Sequence, residues 1–148
     1  MGVKKVPAQR NHGRDRLSAD DRSKLMARVS STNTWPELRL RRMLYRLGYR
    51  YRLHAAALPG RPDIVFPGRK KAIFVHGCFW HGHDCKSGRN APKSNTGYWG
   101  PKLRRNQERD ATALKMLADL GWDTLIVWEC DLRQSAESVL HRVVQFLG

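Results

Sequence analysis

Asp63-Ile64-Val65-Phe66-Pro67-Gly68-Arg69-Lys70-Lys71-Ala72-Ile73-Phe74-Val75-His76 decides how this chain folds. Two apolar runs rich in β-branched and aromatic residues flank a Pro-Gly-Arg turn, which predicts a β-hairpin. A hairpin sets the start of its first strand beside the end of its second, so Asp63 and His76 can converge on one edge of a sheet. An aspartate after proline is ordinarily a turn residue, and Asp63 gains meaning only from the groups that meet it there. Directly after His76 comes Gly77-Cys78-Phe79-Trp80-His81-Gly82-His83-Asp84-Cys85, a density of histidine, cysteine and aromatic residues that burial alone does not require. Cys78-x4-His83-x-Cys85 offers three ligands at spacings one tetrahedral zinc can gather, and Cys130 is the only cysteine left for a fourth. A Cys78–Cys85 disulfide is the competing reading of the same pair.

Upstream, Tyr49 to Leu53 alternates aromatic and arginine residues as a strand does, and Ala55 to Arg61 connects it to the hairpin. Thr34-Trp35-Pro36-Glu37 has a capping-box pattern with proline in the first turn, and Leu40, Met43, Leu44 and Leu47 follow at helical spacing until Gly48. Glu37 thus reads either as a capping residue, which the spacing favours, or as an acid aimed at a metal site. Arg39, Arg41, Arg42 and Arg46 mark the other face of this helix, solvated or turned to phosphate. Leu25, Met26 and Val29 suggest a brief helix within residues 18–31, and residues 1–17 form a basic arm that buries too little to offset the entropy of ordering. Met26 reads as a packing residue or as an apolar wedge for a groove.

Downstream, residues 77–105 show no regular periodicity, and a loop of that length in a small domain is usually functional or disordered. A helix is expected from Asn106 to about Leu120, a buried strand over Asp123–Trp128, Cys130 just beyond it, and a final amphipathic helix carrying Val139, Leu140, Val143, Val144 and Leu147. The expected order is α-β-β-β-α-β-α, an α/β fold. No glycine-rich phosphate loop opens a helix, so a nucleotide cofactor is not indicated.

At 148 residues the chain suits one domain, residues 18–148, preceded by the arm. Twenty-eight Lys+Arg against 13 Asp+Glu give a net charge of +15, which points to a polyanionic partner, nucleic acid first. A membrane surface is disfavoured because no long apolar run or signal-type segment appears. A cytoplasmic setting is expected, where an odd set of three cysteines, two of them flanking histidines, suits metal thiolates.

Leu58-Pro59-Gly60-Arg61-Pro62-Asp63, then Phe74-Val75-His76-Gly77-Cys78-Phe79-Trp80-His81, and finally Ile126-Val127-Trp128-Glu129-Cys130 together resemble the very short patch repair endonucleases, the Vsr family of DNA mismatch endonucleases. The resemblance runs from about Asp21 to Cys130 and takes in Arg22-Ser23-Lys24, Met26, Asn106 and Glu108-Arg109-Asp110. It implies a restriction-endonuclease-like mixed central sheet flanked by helices, a structural zinc, and magnesium at the cleavage site. The implied activity is nicking of duplex DNA on the 5′ side of the thymine in a T·G mismatch left by deamination of 5-methylcytosine.

By that resemblance Asp63 and the backbone carbonyl of Val75 hold magnesium, His81 is the general base oriented by Asp110, and His76 and Glu37 are auxiliary active-site groups. Cys78, His83, Cys85 and Cys130 match the zinc ligands. Phe79, Trp80 and Trp99 match aromatics inserted beside the mismatch, with Met26 as a wedge in the opposite groove; Arg22, Lys24 and Asn106 join the DNA-binding set. Val75 stands where the family commonly has threonine, which leaves a carbonyl role intact, and Gly82 and Asp84 replace histidines of the family's richer stretch. A monomer is expected, with mismatch-repair proteins as candidate partners. The alternative from another class is a zinc-stabilised DNA-binding protein without catalysis. A catalytic zinc hydrolase is a third reading, opposed by four S/N ligands that would close the metal's sphere.

Overall fold

The structure, a computed structural model, describes residues 32–85 and 96–148, with only the backbone of 96–99. The basic arm, the brief helix of residues 18–31, Arg22, Lys24, Met26 and the side chain of Trp99 lie outside the described residues.

Helix α1 spans Trp35–Arg46, with Pro36 in its first turn and Leu40 and Leu44 fully buried on its inward stripe. It ends where Gly48 takes φ +97°, a left-handed conformation that glycine adopts without a Cβ penalty. Three strands come next, β1 (Arg52–Leu53), β2 (Ile64–Phe66) and β3 (Lys71–His76), with a 3-10 turn at Pro67–Arg69. The expected hairpin is therefore present, paired antiparallel with Ile64 opposite Ile73. Helix α2 (Thr96–Asp119) then crosses to β4 (Asp123–Trp128), which lies parallel to β3, with His76 in register with Trp128. Short helix α3 (Glu129–Gln134) and α4 (Ala136–Leu147) complete the chain, the latter capped by the Ser135 hydroxyl on the Ser138 amide.

The result is a mixed four-stranded sheet of order β1-β2-β3-β4. Alternation along the strands divides its side chains. Ile64, Phe66, Ile73 and Val127 join Leu40, Leu44, Leu132, Val139, Val143 and Leu147 in one buried cluster, so α1, α3 and α4 cover that face. Phe74 points the other way, near Gly60 and Ala113 of α2.

Two expectations are corrected. The helix expected from Asn106 starts at Thr96, because Gly97, Gly100 and Pro101 read as loop residues although they occupy its first two turns. A short helix not in the expected order, α3, carries Cys130 just beyond β4, which makes the order α-β-β-β-α-β-α-α.

Candidate active site and metal centre

The C-terminal ends of the two parallel strands, β3 and β4, open onto a cleft of about 1000 Å³ lined by His54, Asp63, His76, His81, Asn106 and Asp110 among others. Asp63 enters it just before β2. Its carboxylate Oδ2 accepts the Val75 amide at 2.7 Å, while its own amide donates to the Ile73 carbonyl at 3.1 Å. In an antiparallel pair the N–H and C=O of one residue face the same neighbour, so the Val75 carbonyl lies on the strand edge that the Asp63 carboxylate occupies. Burial is the main cause that pushes the Asp63 carboxyl from its ordinary 3.8 to about 6; the charge of Glu37 adds to it and the Val75 hydrogen bond opposes it.

Glu37 is 1% exposed and fully engaged. Oε1 accepts the Asn33 amide at 3.0 Å; Oε2 accepts Arg41 at 3.0 Å and lies 2.7 Å from His54 Nε2. Glu37 reaches back to an amide ahead of the helix, though not that of Thr34 in the capping-box pattern, and its carboxylate lies within 4.8 Å of the nearest ligand atoms of His54 and Asp63.

Across the cleft, His81 Nδ1 meets Asp110 Oδ2 at 2.5 Å, bringing a residue of the loop after β3 to one on α2. A carboxylate only accepts, so this contact puts hydrogen on Nδ1 and leaves Nε2 with the lone pair of the neutral ring. His76 stacks on His81 with ring centroids 3.6 Å apart. Burial first, and then the His81 charge, lowers His76 from 6.5 to about 4, Asp110 partly opposing, so its ring is neutral at pH 7. Its Nδ1 is buried without a hydrogen-bond partner among the described residues.

The four zinc-ligand candidates converge. One ligand atom each from Cys78, His83, Cys85 and Cys130 lies within 4.8 Å of the others, and all three thiols are free, which removes the Cys78–Cys85 disulfide reading. Cys130 Sγ and His83 Nδ1 are 3.5 Å apart, matching the edge of about 3.5 Å of a tetrahedron with zinc–sulfur and zinc–nitrogen arms of about 2.3 and 2.0 Å. The donor set therefore fits zinc. Burial pushes the Cys78 thiol up to about 12 and raises that of Cys130, so metal binding here must displace protons.

Phe79 and Trp80 meet edge to face at 5.0 Å beside this centre, and the Asn106 amide donates to the Trp80 carbonyl at 2.9 Å. Asn106 in turn accepts from Arg109. Several participants carry no signal of their own in the sequence. His54, just past β1, enters the Asp63 cluster through its amide on the Asp63 carbonyl at 3.1 Å and its ring on Glu37 at 2.7 Å. Glu129 accepts the Cys78 amide at 3.1 Å, and Trp128 stacks on His83 at 4.0 Å while its edge faces His76. Both adjoin Cys130 in a stretch that carries the family resemblance, and that proximity is the one signal that could have found them.

Carboxylates and an oriented imidazole in an open cleft, on a chain of net charge +15, are the equipment of a nuclease. The family model described as DNA mismatch endonuclease Vsr matches residues 14–87. The chain is 52% identical over 118 residues to the Type II nicking enzyme V.XorIIP of Xanthomonas oryzae pv. oryzae, covering 80% of this chain and 86% of the relative. It is 44% identical over 112 residues to the DNA mismatch endonuclease Vsr of Escherichia coli, covering 76% and 71%. The Type II nicking enzyme V.NmeAIP of Neisseria meningitidis is 40% identical over 122 residues, covering 82% and 86%. The chain belongs to the Vsr family of DNA mismatch endonucleases, and at that level it is a DNA repair nuclease, a hydrolase.

Proposed function

We propose that this protein is a magnesium-dependent endonuclease that nicks duplex DNA 5′ of the thymine in a T·G mismatch. The observation that carries the proposal is the 2.5 Å contact between His81 and Asp110 in the cleft that also receives Asp63. Asp110 holds the His81 ring with Nε2 free, so His81 can take the proton of an attacking water as general base. His76, neutral and packed face to face on His81, fixes the plane of that ring and offers the scissile phosphate a hydrogen bond. Asp63 and the Val75 carbonyl are hard oxygen donors on one edge and suit magnesium, with Glu37 behind them. Magnesium held there would offset charge on the phosphate and acidify water near the leaving oxygen. Cys78, His83, Cys85 and Cys130 would hold a structural zinc whose filled sphere keeps it out of the chemistry.

Selectivity in this reading comes from Phe79, Trp80, Trp99 and Met26, wedged into a base step that unstacks most readily at a mismatch. Arg22, Lys24 and Asn106 belong to the DNA-contacting set, Asn106 through its hold on the Trp80 loop. The architecture is taken as restriction-endonuclease-like, a single domain over residues 18–148 behind a basic arm, acting as a monomer inside the cell with mismatch-repair proteins as candidate partners. No helix among the described residues is long and apolar enough to cross a membrane.

The test uses matched and T·G-mismatched duplexes, each strand end-labelled, in magnesium and in EDTA. A magnesium-dependent nick confined to the thymine strand is the expected result. Mismatch binding without a nick, across varied flanking sequences, would replace the enzyme with a zinc-stabilised binding protein.

A further inference from the structure

His54 has no part in the proposed cleavage, yet its surroundings are those of a metal ligand. Leu53 pairs with Ile64, so His54 and Asp63 are the next residues to face each other across β1 and β2, and the His54 amide donates to the Asp63 carbonyl at 3.1 Å. His54 leaves the strand in a left-handed conformation, φ +47°, so the hydrogen bond, and not strand alternation, is what sets it beside Asp63. The imidazole and the carboxylate both line the cleft, in a group with Glu37 in which one ligand atom of each residue lies within 4.8 Å of the others.

The buried Glu37 carboxylate already accepts from Asn33 and Arg41 and has no hydrogen to give. The 2.7 Å contact with His54 Nε2 is therefore donated by the imidazole, and the neutral ring carries its lone pair on Nδ1. A carboxylate that fixes one imidazole nitrogen so that the other faces a metal is the usual outer support of a metal-binding histidine. Arg41 and Asn33 leave Glu37 better suited to this supporting part than to direct coordination.

We infer that His54 supplies a nitrogen ligand to the cation held by Asp63 and the Val75 carbonyl, which makes a mixed nitrogen–oxygen site that holds Mn2+ more tightly than Mg2+. Magnesium favours all-oxygen surroundings, whereas manganese accepts imidazole beside carboxylate and carbonyl oxygen. The inference rests on the assignment of Asp63 as the cation's carboxylate.

The experiment takes the zinc-loaded, full-length protein without DNA, adds one equivalent of Mn2+, and records electron spin-echo envelope modulation for nitrogen-14 coupling. Mn2+ and Mg2+ affinities come from competition titrations followed by the Mn2+ resonance. Wild type is expected to show directly bound imidazole nitrogen. His54→Gln, whose amide can still donate to Glu37, should lose that coupling and bind Mn2+ about tenfold more weakly, with Mg2+ affinity little changed. His76→Gln and His81→Gln should keep the coupling.

An all-oxygen spectrum from wild type, or coupling that survives His54→Gln, overturns the inference. If the protein nicks in magnesium and Asp63→Ala abolishes Mn2+ binding, such a result sinks the role of His54 alone. Mn2+ binding undiminished in Asp63→Ala would instead remove the Asp63 site, and the inference with it.

Discussion

His76 and Asp63, at the two ends of the central hairpin, are both shifted by burial, and they pull stability in opposite directions as pH changes. His76 titrates at about 4 in the folded protein against an ordinary 6.5, so the unfolded chain binds its proton first and stability rises with pH from about 4 to 6.5. Asp63 titrates at about 6 against 3.8, so the folded chain keeps its proton longer and stability falls as pH rises through that window. Each shift is worth on the order of 3 kcal/mol. The slopes oppose each other, and urea denaturation of the zinc-loaded, magnesium-free protein should give a shallow profile between pH 4 and 6 from this pair. Asp63→Asn, whose side-chain oxygen can still accept from Val75, should be about 2 kcal/mol more stable than wild type at pH 7, while no longer nicking; a loss of stability would refute the burial argument. Asp110→Asn should keep DNA affinity but lower kcat on the order of 10²-fold, read from single-turnover nicking, because the amide no longer fixes the His81 tautomer.

Among the elements, α2 comes close to the turn before β2 at Gly60, which has φ +76°; a Cβ there would lie 2.7 Å from Ala113 Cβ and 3.2 Å from the Phe74 ring. Gly60→Ala should destabilise by about 2–4 kcal/mol, combining left-handed strain with overpacking. Ala113→Gly in the same chain should return about 1 kcal/mol of that in a double-mutant cycle, the steric part but not the strain. β2 and β3 were legible because each apolar run is bounded by turn residues and is buried along most of its length, and α1 because one leucine stripe fixes its period. The beginning of α2 was not, since its glycines and proline are loop signals that tertiary context overrides. At the site, the convergence of Cys78, His83, Cys85 and Cys130 was legible from spacing and from the scarcity of cysteine. His54 was not, because its meaning depends on its pairing opposite Asp63, which the sequence around it does not announce.

Over the whole molecule, the zinc-ligand group ties the loop after β3 to α3, residues 85 and 130 being the nearest ligands in sequence across that gap. Chelation of zinc should therefore lower Tm and make it depend on metal concentration. Zinc affinity should fall with decreasing pH, because the Cys78 and Cys130 thiols, both raised by desolvation, must surrender their protons to the metal. Calorimetry in buffers of different ionisation enthalpy would count those protons; no buffer dependence would argue against thiolate ligation. The parallel pairing of β3 with β4 has a further consequence for how the protein is made. Lys71 and its partner Asp123 are 52 positions apart, so at about 5–20 residues per second a ribosome exposes β3 roughly 3–10 s before its neighbour exists. Through that interval the nascent chain can assemble β1, β2 and β3 from local contacts, but Ile73 and Phe74 sit on a strand with an open, apolar edge, and it is there that synthesis leaves the protein most exposed to joining a second copy of itself.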